Sequence, residues 1–127
     1  MNRSPLRTLL TAAALFCALA ASATAFAHAG LVKAVPAAGS KVSSAPKIEL
    51  TFNETLVPRA SRVTLSQVGT DGKLTKIEHV ETSVAEGNKT VHATPKHPLG
   101  PGEYEVEWRV VGADNHPITG RHRFVIH

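Results

Sequence analysis

The stretch EYEVEWRV, residues 103–110, puts Tyr104, Val106, Trp108 and Val110 on one parity and Glu103, Glu105, Glu107 and Arg109 on the other. Unbroken alternation has the period of an extended chain with one dry and one wet face, and no helix satisfies it. KIELTFNE, residues 47–54, repeats the pattern, with Ile48, Leu50 and Phe52 set against Glu49, Thr51 and Asn53. Weaker runs of the same kind cover residues 31–35, 62–68, 74–80, 89–94 and 122–126. Turn-forming residues separate them: Pro36 to Gly39, Asp71-Gly72, Glu86-Gly87-Asn88, HPLGPG at 97–102 and GADNHPITG at 112–120. Seven short strands spaced in this way predict an all-β chain, a Greek-key β-sandwich or barrel of immunoglobulin-like type. Trp108, on the dry face of the longest strand, is expected in the core.

The residues ahead of this pattern are of another kind. Arg3 and Arg7 precede an apolar run over residues 9–21, and Ala25-Phe26-Ala27 supplies small residues around a bulky one. That is the layout of a secretory signal cut after Ala27. The run is shorter than the roughly 20 residues that span a bilayer comfortably, and Phe16 precedes Cys17 where lipoprotein processing wants a small residue. The expectation is a cleaved signal at 1–27, followed by one exported, soluble domain at 28–127 with no membrane insertion.

Processing removes Cys17 and Met1, which are the only cysteine and methionine of the chain. A domain without thiolate or thioether cannot build the soft-ligand sites of zinc clusters, blue copper or Cu(I) from its own side chains. Removal of Arg3 and Arg7 from the 14 Lys and Arg leaves an excess of two over the 10 Asp and Glu, which is no nucleic-acid footprint.

All seven histidines fall within 28–127. His79 and His92 sit in predicted strands, His97 in a turn and His127 at the chain end, and each is expected on the surface or half-buried. His122 shares the parity of Phe124 and Ile126, and is expected at the end of the sandwich. His28 differs, because cleavage after Ala27 would give it a free amine. Amine and imidazole Nδ1 then close a six-membered chelate ring, which is possible only at a chain start. The amine, with a pKa of about 7.7 to 8.0, loses its proton to a divalent cation at little cost. A loop imidazole would complete three nitrogens, the tetragonal set that Cu(II) prefers. Asp114-Asn115-His116-Pro117 offers one: Asp114 and His116, two apart, can point the same way in an extended loop, the carboxylate ligating weakly or orienting a bound water.

HAGLVKAVPAAGSKVSSAPKIELTFNETL at 28–56 and WRVVGADNHPITGRHRFVI at 108–126 resemble the CopC family of periplasmic copper-binding proteins. The likeness covers the whole of 28–127, in the opening His-Ala, the PAAGS turn, the LTFNE strand end and the DNHPITG loop. It implies a seven-stranded Greek-key fold and one Cu(II) held by the amine and imidazole of His28, the imidazole of His116 and the carboxylate of Asp114. Glu54 falls where the family carries an acid near this site. Some members also keep Cu(I) in a methionine-rich segment, which this sequence lacks. The resemblance implies a periplasmic carrier or sequestering protein and not an enzyme, with copper as its ligand. An inner-membrane copper transporter or another periplasmic copper protein would be its partner. Two other classes share parts of the pattern. A lytic polysaccharide monooxygenase also binds copper through a leading histidine but needs a flat aromatic surface, for which 28–127 offers only Tyr104, Trp108, Phe52 and Phe124. A metal-free immunoglobulin-like interaction module would be indifferent to what precedes His28.

Overall fold

A computed structural model describes residues 30–127. Nine strands run in chain order: β1 (Leu31–Val35), β2 (Lys41–Val42), β3 (Ile48–Phe52), β4 (Arg62–Val68), β5 (Leu74–Lys76), β6 (Val80–Val84), β7 (Thr90–Pro95), β8 (Gly102–Val111) and β9 (Pro117–Ile126). A short 3-10 turn, Pro58–Ala60, precedes β4. The strands form a four-stranded sheet in the order β1-β3-β7-β6 and a five-stranded sheet in the order β2-β9-β8-β4-β5. The chain changes sheet at every step from β1 to β4, between β5 and β6, and between β7 and β8, so the all-β Greek-key sandwich is as expected. No helix of the described residues is long and apolar enough to cross a membrane.

The alternation explains the core. Ile48, Leu50 and Phe52 of β3 and Val91 and Ala93 of β7 face Leu65, Tyr104, Val106, Val110, Phe124 and Ile126 of the second sheet, all of them buried. Each large aliphatic or aromatic side chain sequestered in this way contributes about 1.5–3 kcal/mol, which stabilises the sandwich without a disulfide. Trp108 is buried as expected, at 7% exposure. Its register partner on β9 is Gly120, and any β-carbon there would run into the indole. Glycine therefore allows the largest side chain of the core to lie flat over the neighbouring strand.

Two expectations about strands need correction. The run at 74–80 is not one strand. β5 ends at Lys76, Ile77 still donates its amide to the Leu65 carbonyl, and His79 adopts a left-handed φ of 58° before β6 begins in the other sheet. The break lets the chain cross between the layers. At the other end of the molecule, β9 starts at Pro117 and not at 122, so Pro117 to Gly120 belong to the β8–β9 ladder, where Val111 faces Pro117. The loop expected over 112–120 is a tight tip, Gly112 to His116. The two-residue β2, which pairs in parallel with β9, was not expected.

Candidate metal centre

The β8–β9 tip is a compact turn. The Asn115 amide donates to the Gly112 carbonyl at 2.9 Å and the Gly112 amide to the His116 carbonyl at 3.1 Å, with Asn115 at φ 68°. Asn tolerates this left-handed conformation better than most residues. The turn brings Asp114 and His116 together as the sequence predicts, but by folding back and not by extension. Asp114 Oδ1 accepts the His116 backbone amide at 3.1 Å, and Asp114 Oδ2 lies 2.9 Å from His116 Nδ1. With a carboxylate as neighbour, Nδ1 is the protonated ring nitrogen, and Nε2 is left as the nitrogen with a free lone pair. Both side chains are solvent-exposed. The hydrogen bond and charge of Asp114 raise the His116 pKa above its ordinary value, with a smaller contribution from the charge of Glu54, and the same contact lowers the pKa of Asp114.

Glu54 reaches this tip from the other side of the chain. The segment after β3 is laid along it: Leu56 bridges Gly112, the Ala113 amide donates to Thr55 at 3.0 Å, and the Val57 amide donates to Val111 at 2.8 Å. The Glu54 carboxylate packs over Gly112, where a β-carbon would overlap Oε1, lie 2.7 Å from Cδ and sit 3.0 Å from Asp114 Oδ1. Glu54 Oε1 is buried with no hydrogen-bond partner among the described residues. An unpaired buried oxygen costs about 1–3 kcal/mol, a cost that a donor or cation from outside the described residues would relieve.

The start of the described chain is tied to the same strip. The Gly30 amide donates to Asn53 Oδ1 at 2.7 Å, and the Asn53 amide donates to the Gly30 carbonyl at 3.1 Å. Asn53 was read from sequence only as a wet-face residue of KIELTFNE. Its anchoring role carried no local signal beyond a short amide side chain at a strand end. His28 lies outside the described residues. Among the described residues no three His, Cys, Asp or Glu side chains are grouped as a metal would need, so Asp114, His116 and Glu54 do not form such a group by themselves.

The other histidines are elsewhere. His92 pairs with Glu49 at 3.2 Å on the outer face of the four-stranded sheet, and His79, His97 and His127 are exposed. His122 stacks obliquely on Trp108 with ring centroids 5.7 Å apart, and its Nε2 lies 3.1 Å from the Pro36 carbonyl. Its Nδ1 is buried without a partner, and burial pushes its pKa down. It makes no hydrogen bond or ion pair with the tip.

The chain as a whole is similar to known proteins. The chain is 39% identical to copper resistance protein C of Pseudomonas syringae pv. tomato, over 99% of its own length and 98% of that protein. It is 38% identical to copper resistance protein C of Escherichia coli, over 81% and 84% respectively. The crystal structure of PcoC, a methionine-rich copper resistance protein from Escherichia coli, superposes with a TM-score of 0.73 at 33% identity, covering 80% of this chain and all of that one. These relatives are named for copper resistance and not for a catalysed reaction, in line with a binding protein and not an enzyme. The model of the CopC domain matches residues 31–127, the stretch that holds both sheets, the Glu54 strip and the histidine-bearing tip, and the chain belongs to the CopC family.

Proposed function

We propose that the protein is an exported, periplasmic Cu(II)-binding protein of copper resistance or homeostasis. In this reading cleavage after Ala27 leaves 28–127 as one copper-binding domain, which takes one Cu(II) through its own first residue. The amine and imidazole of His28 form the chelate, and His116 Nε2 supplies the third nitrogen. Asp114 fixes the His116 ring and lies close enough to add a carboxylate oxygen. Glu54, with its unpaired oxygen, supplies negative charge beside the ion and steadies the ligands.

The observation that carries this reading is the reciprocal pairing of Gly30 with Asn53. His28 is two residues from that anchor, a chain reach of at most about 7 Å, and Asn53 is followed directly by the strip that touches the Gly112–His116 tip. The ligand chemistry agrees. Imidazole, amine and carboxylate suit Cu(II), while a Cu(I) site of the methionine kind has no material in a chain whose one methionine is Met1. A single-site protein that sequesters Cu(II), or passes it to a membrane transporter or another periplasmic copper protein, follows from that ligand set.

The test is a Cu(II) titration, followed by electron paramagnetic resonance, on a form that begins at His28 and on one with a single Gly in front. One tight equivalent with a nitrogen-rich tetragonal spectrum in the first form, and much weaker binding in the second, supports the reading. Equal behaviour of the two forms overturns the chelate.

A further inference from the structure

The outer face of the five-stranded sheet carries charge that the fold does not use. By register, six Lys and Arg lie on it (Lys41, Arg62, Lys76, Arg109, Arg121 and Arg123) against Glu103, Glu105 and Glu107. That is an excess of three on one face, whereas residues 30–127 as a whole carry an excess of two. Two of the acids are already engaged. Arg123 Nε donates to the buried Glu105 at 2.8 Å, and its Nη1 lies 3.4 Å from Glu103.

What remains is concentrated at the end of the sheet that leads into the histidine-bearing tip. Arg62 of β4 and Arg109 of β8 are direct register partners, and like charges in that position destabilise a sheet. Arg121 stands one row along on β9, opposite Glu107. All three arginines are exposed, and none makes an ion pair with another described residue. Between Arg109 and Arg121 the surface dips into a hollow of about 340 Å³ lined by these two, Glu107, Trp108, Thr119 and Gly120. Its floor is the backbone of the Trp108–Gly120 pair.

We propose that this end of the outer face is a docking surface for a carboxylate-rich segment of a partner protein, with Arg62, Arg109 and Arg121 as the groups that read it. Three features select that occupant. A guanidinium fork matches a carboxylate bidentately, and the hollow between Arg109 and Arg121 has room for one acidic side chain beside the Thr119 hydroxyl. Glu107 stands inside the patch, where it would be pressed against the headgroups of an anionic membrane, whereas a single flexible acidic segment can set its carboxylates on the arginines to either side and pass it by. The exposed large apolar residues are Val32, Val35 and Leu74; two lie on the other sheet and Leu74 lies at the far end of this one, so nothing at this end would anchor in lipid. An acidic segment bound here would sit next to the tip, and the proposal holds whatever the tip binds.

The experiment is a titration of isotope-labelled protein with an oligo-glutamate peptide, read by the side-chain NεH signals of arginine and, as controls, by the backbone amides of Lys33 in β1 and of Lys89 and Lys96, which flank β7. We expect shifts at Arg62, Arg109 and Arg121 that fade as salt is raised, and affinity weakened roughly fivefold to tenfold in Arg62→Gln/Arg109→Gln. The variant should melt no lower than the parent, because it relieves a like-charge pair. Three results overturn the proposal. They are shifts that are absent or equal at Lys33, Lys89 and Lys96, a variant that loses stability in step with peptide binding, and phosphatidylglycerol vesicles bound through the same arginines more tightly than the peptide.

Discussion

Gly112→Ala separates the proposed copper site from the fold. The new methyl group would occupy the position of Glu54 Oε1 and come within 2.7 Å of Cδ, so the whole carboxylate must swing away. Glu54 is only half-buried and its side chain is flexible, which leaves it a route to solvent. The rearranged rotamer costs about 0.5–1.5 kcal/mol. Hydrating Oε1, now buried and unpaired, returns about 1–3 kcal/mol. The balance lies between about 0.5 kcal/mol destabilising and about 2.5 kcal/mol stabilising, so the melting temperature of a domain this small should fall by no more than roughly 4 °C or rise by up to roughly 20 °C. Copper affinity should fall in either case. Removing a supporting carboxylate from a metal site weakens binding about 10- to 100-fold, and Glu54→Gln should reproduce most of that loss. Thermal melts of the metal-free protein and Cu(II) competition titrations on both variants decide it. Unchanged copper affinity in both would show that Glu54 plays no part at the site. A larger fall in melting temperature with affinity preserved would mean that Gly112 serves packing alone.

Three further outcomes follow from the same contacts. Asn53→Ala removes the acceptor of the Gly30 amide, so exchange of that amide should speed up and Cu(II) affinity should fall at least tenfold, with little change in melting temperature; slow exchange in the variant would deny Asn53 its anchoring role. For His122 the folded pKa lies below the unfolded value near 6.5, so its contribution to stability is full above about pH 6.5 and is lost as pH falls towards the folded pKa. Urea unfolding across that window should show a slope that disappears in His122→Gln, and an identical slope in the variant would assign the acid sensitivity elsewhere. Gly120→Ala forces the indole of Trp108 out of its place and should cost about 1–3 kcal/mol, with a smaller penalty in a Trp108→Phe background. Equal penalties in the two backgrounds would mean that the collision is relieved by the backbone.

Much of the fold was legible because alternation is a local property. EYEVEWRV and KIELTFNE became β8 and β3 with the faces expected of them, and Trp108 went to the core because every second neighbour is apolar. Legibility failed where a strand's extent depends on its partner. Residues 74–80 alternate weakly, and nothing local says that β5 pairs with β4 while β6 pairs with β7 in the other layer. Pro117 to Gly120 contain proline and glycine, ordinarily the marks of a loop, yet the long β8 beside them holds them in a ladder. Lys41–Val42 is a strand only because β9 lies alongside.

At the candidate site the division is sharper. Residue types alone determined the class of ligand: a chain whose only Cys and Met lie in the signal-like segment, and whose histidines all lie after it, offers nitrogen and oxygen. The Asp-x-His spacing also indicated that Asp114 and His116 would meet. Tertiary structure decided that Glu54 lies against Gly112, that Gly30 is pinned beside it, and that His122 turns inward onto Trp108 and away from the tip. The physical reason is sequence distance. Gly30 and Asn53 are 23 residues apart and His122 and Pro36 are 86, and contacts of that span are settled by how two sheets close over a shared core, which no local pattern records.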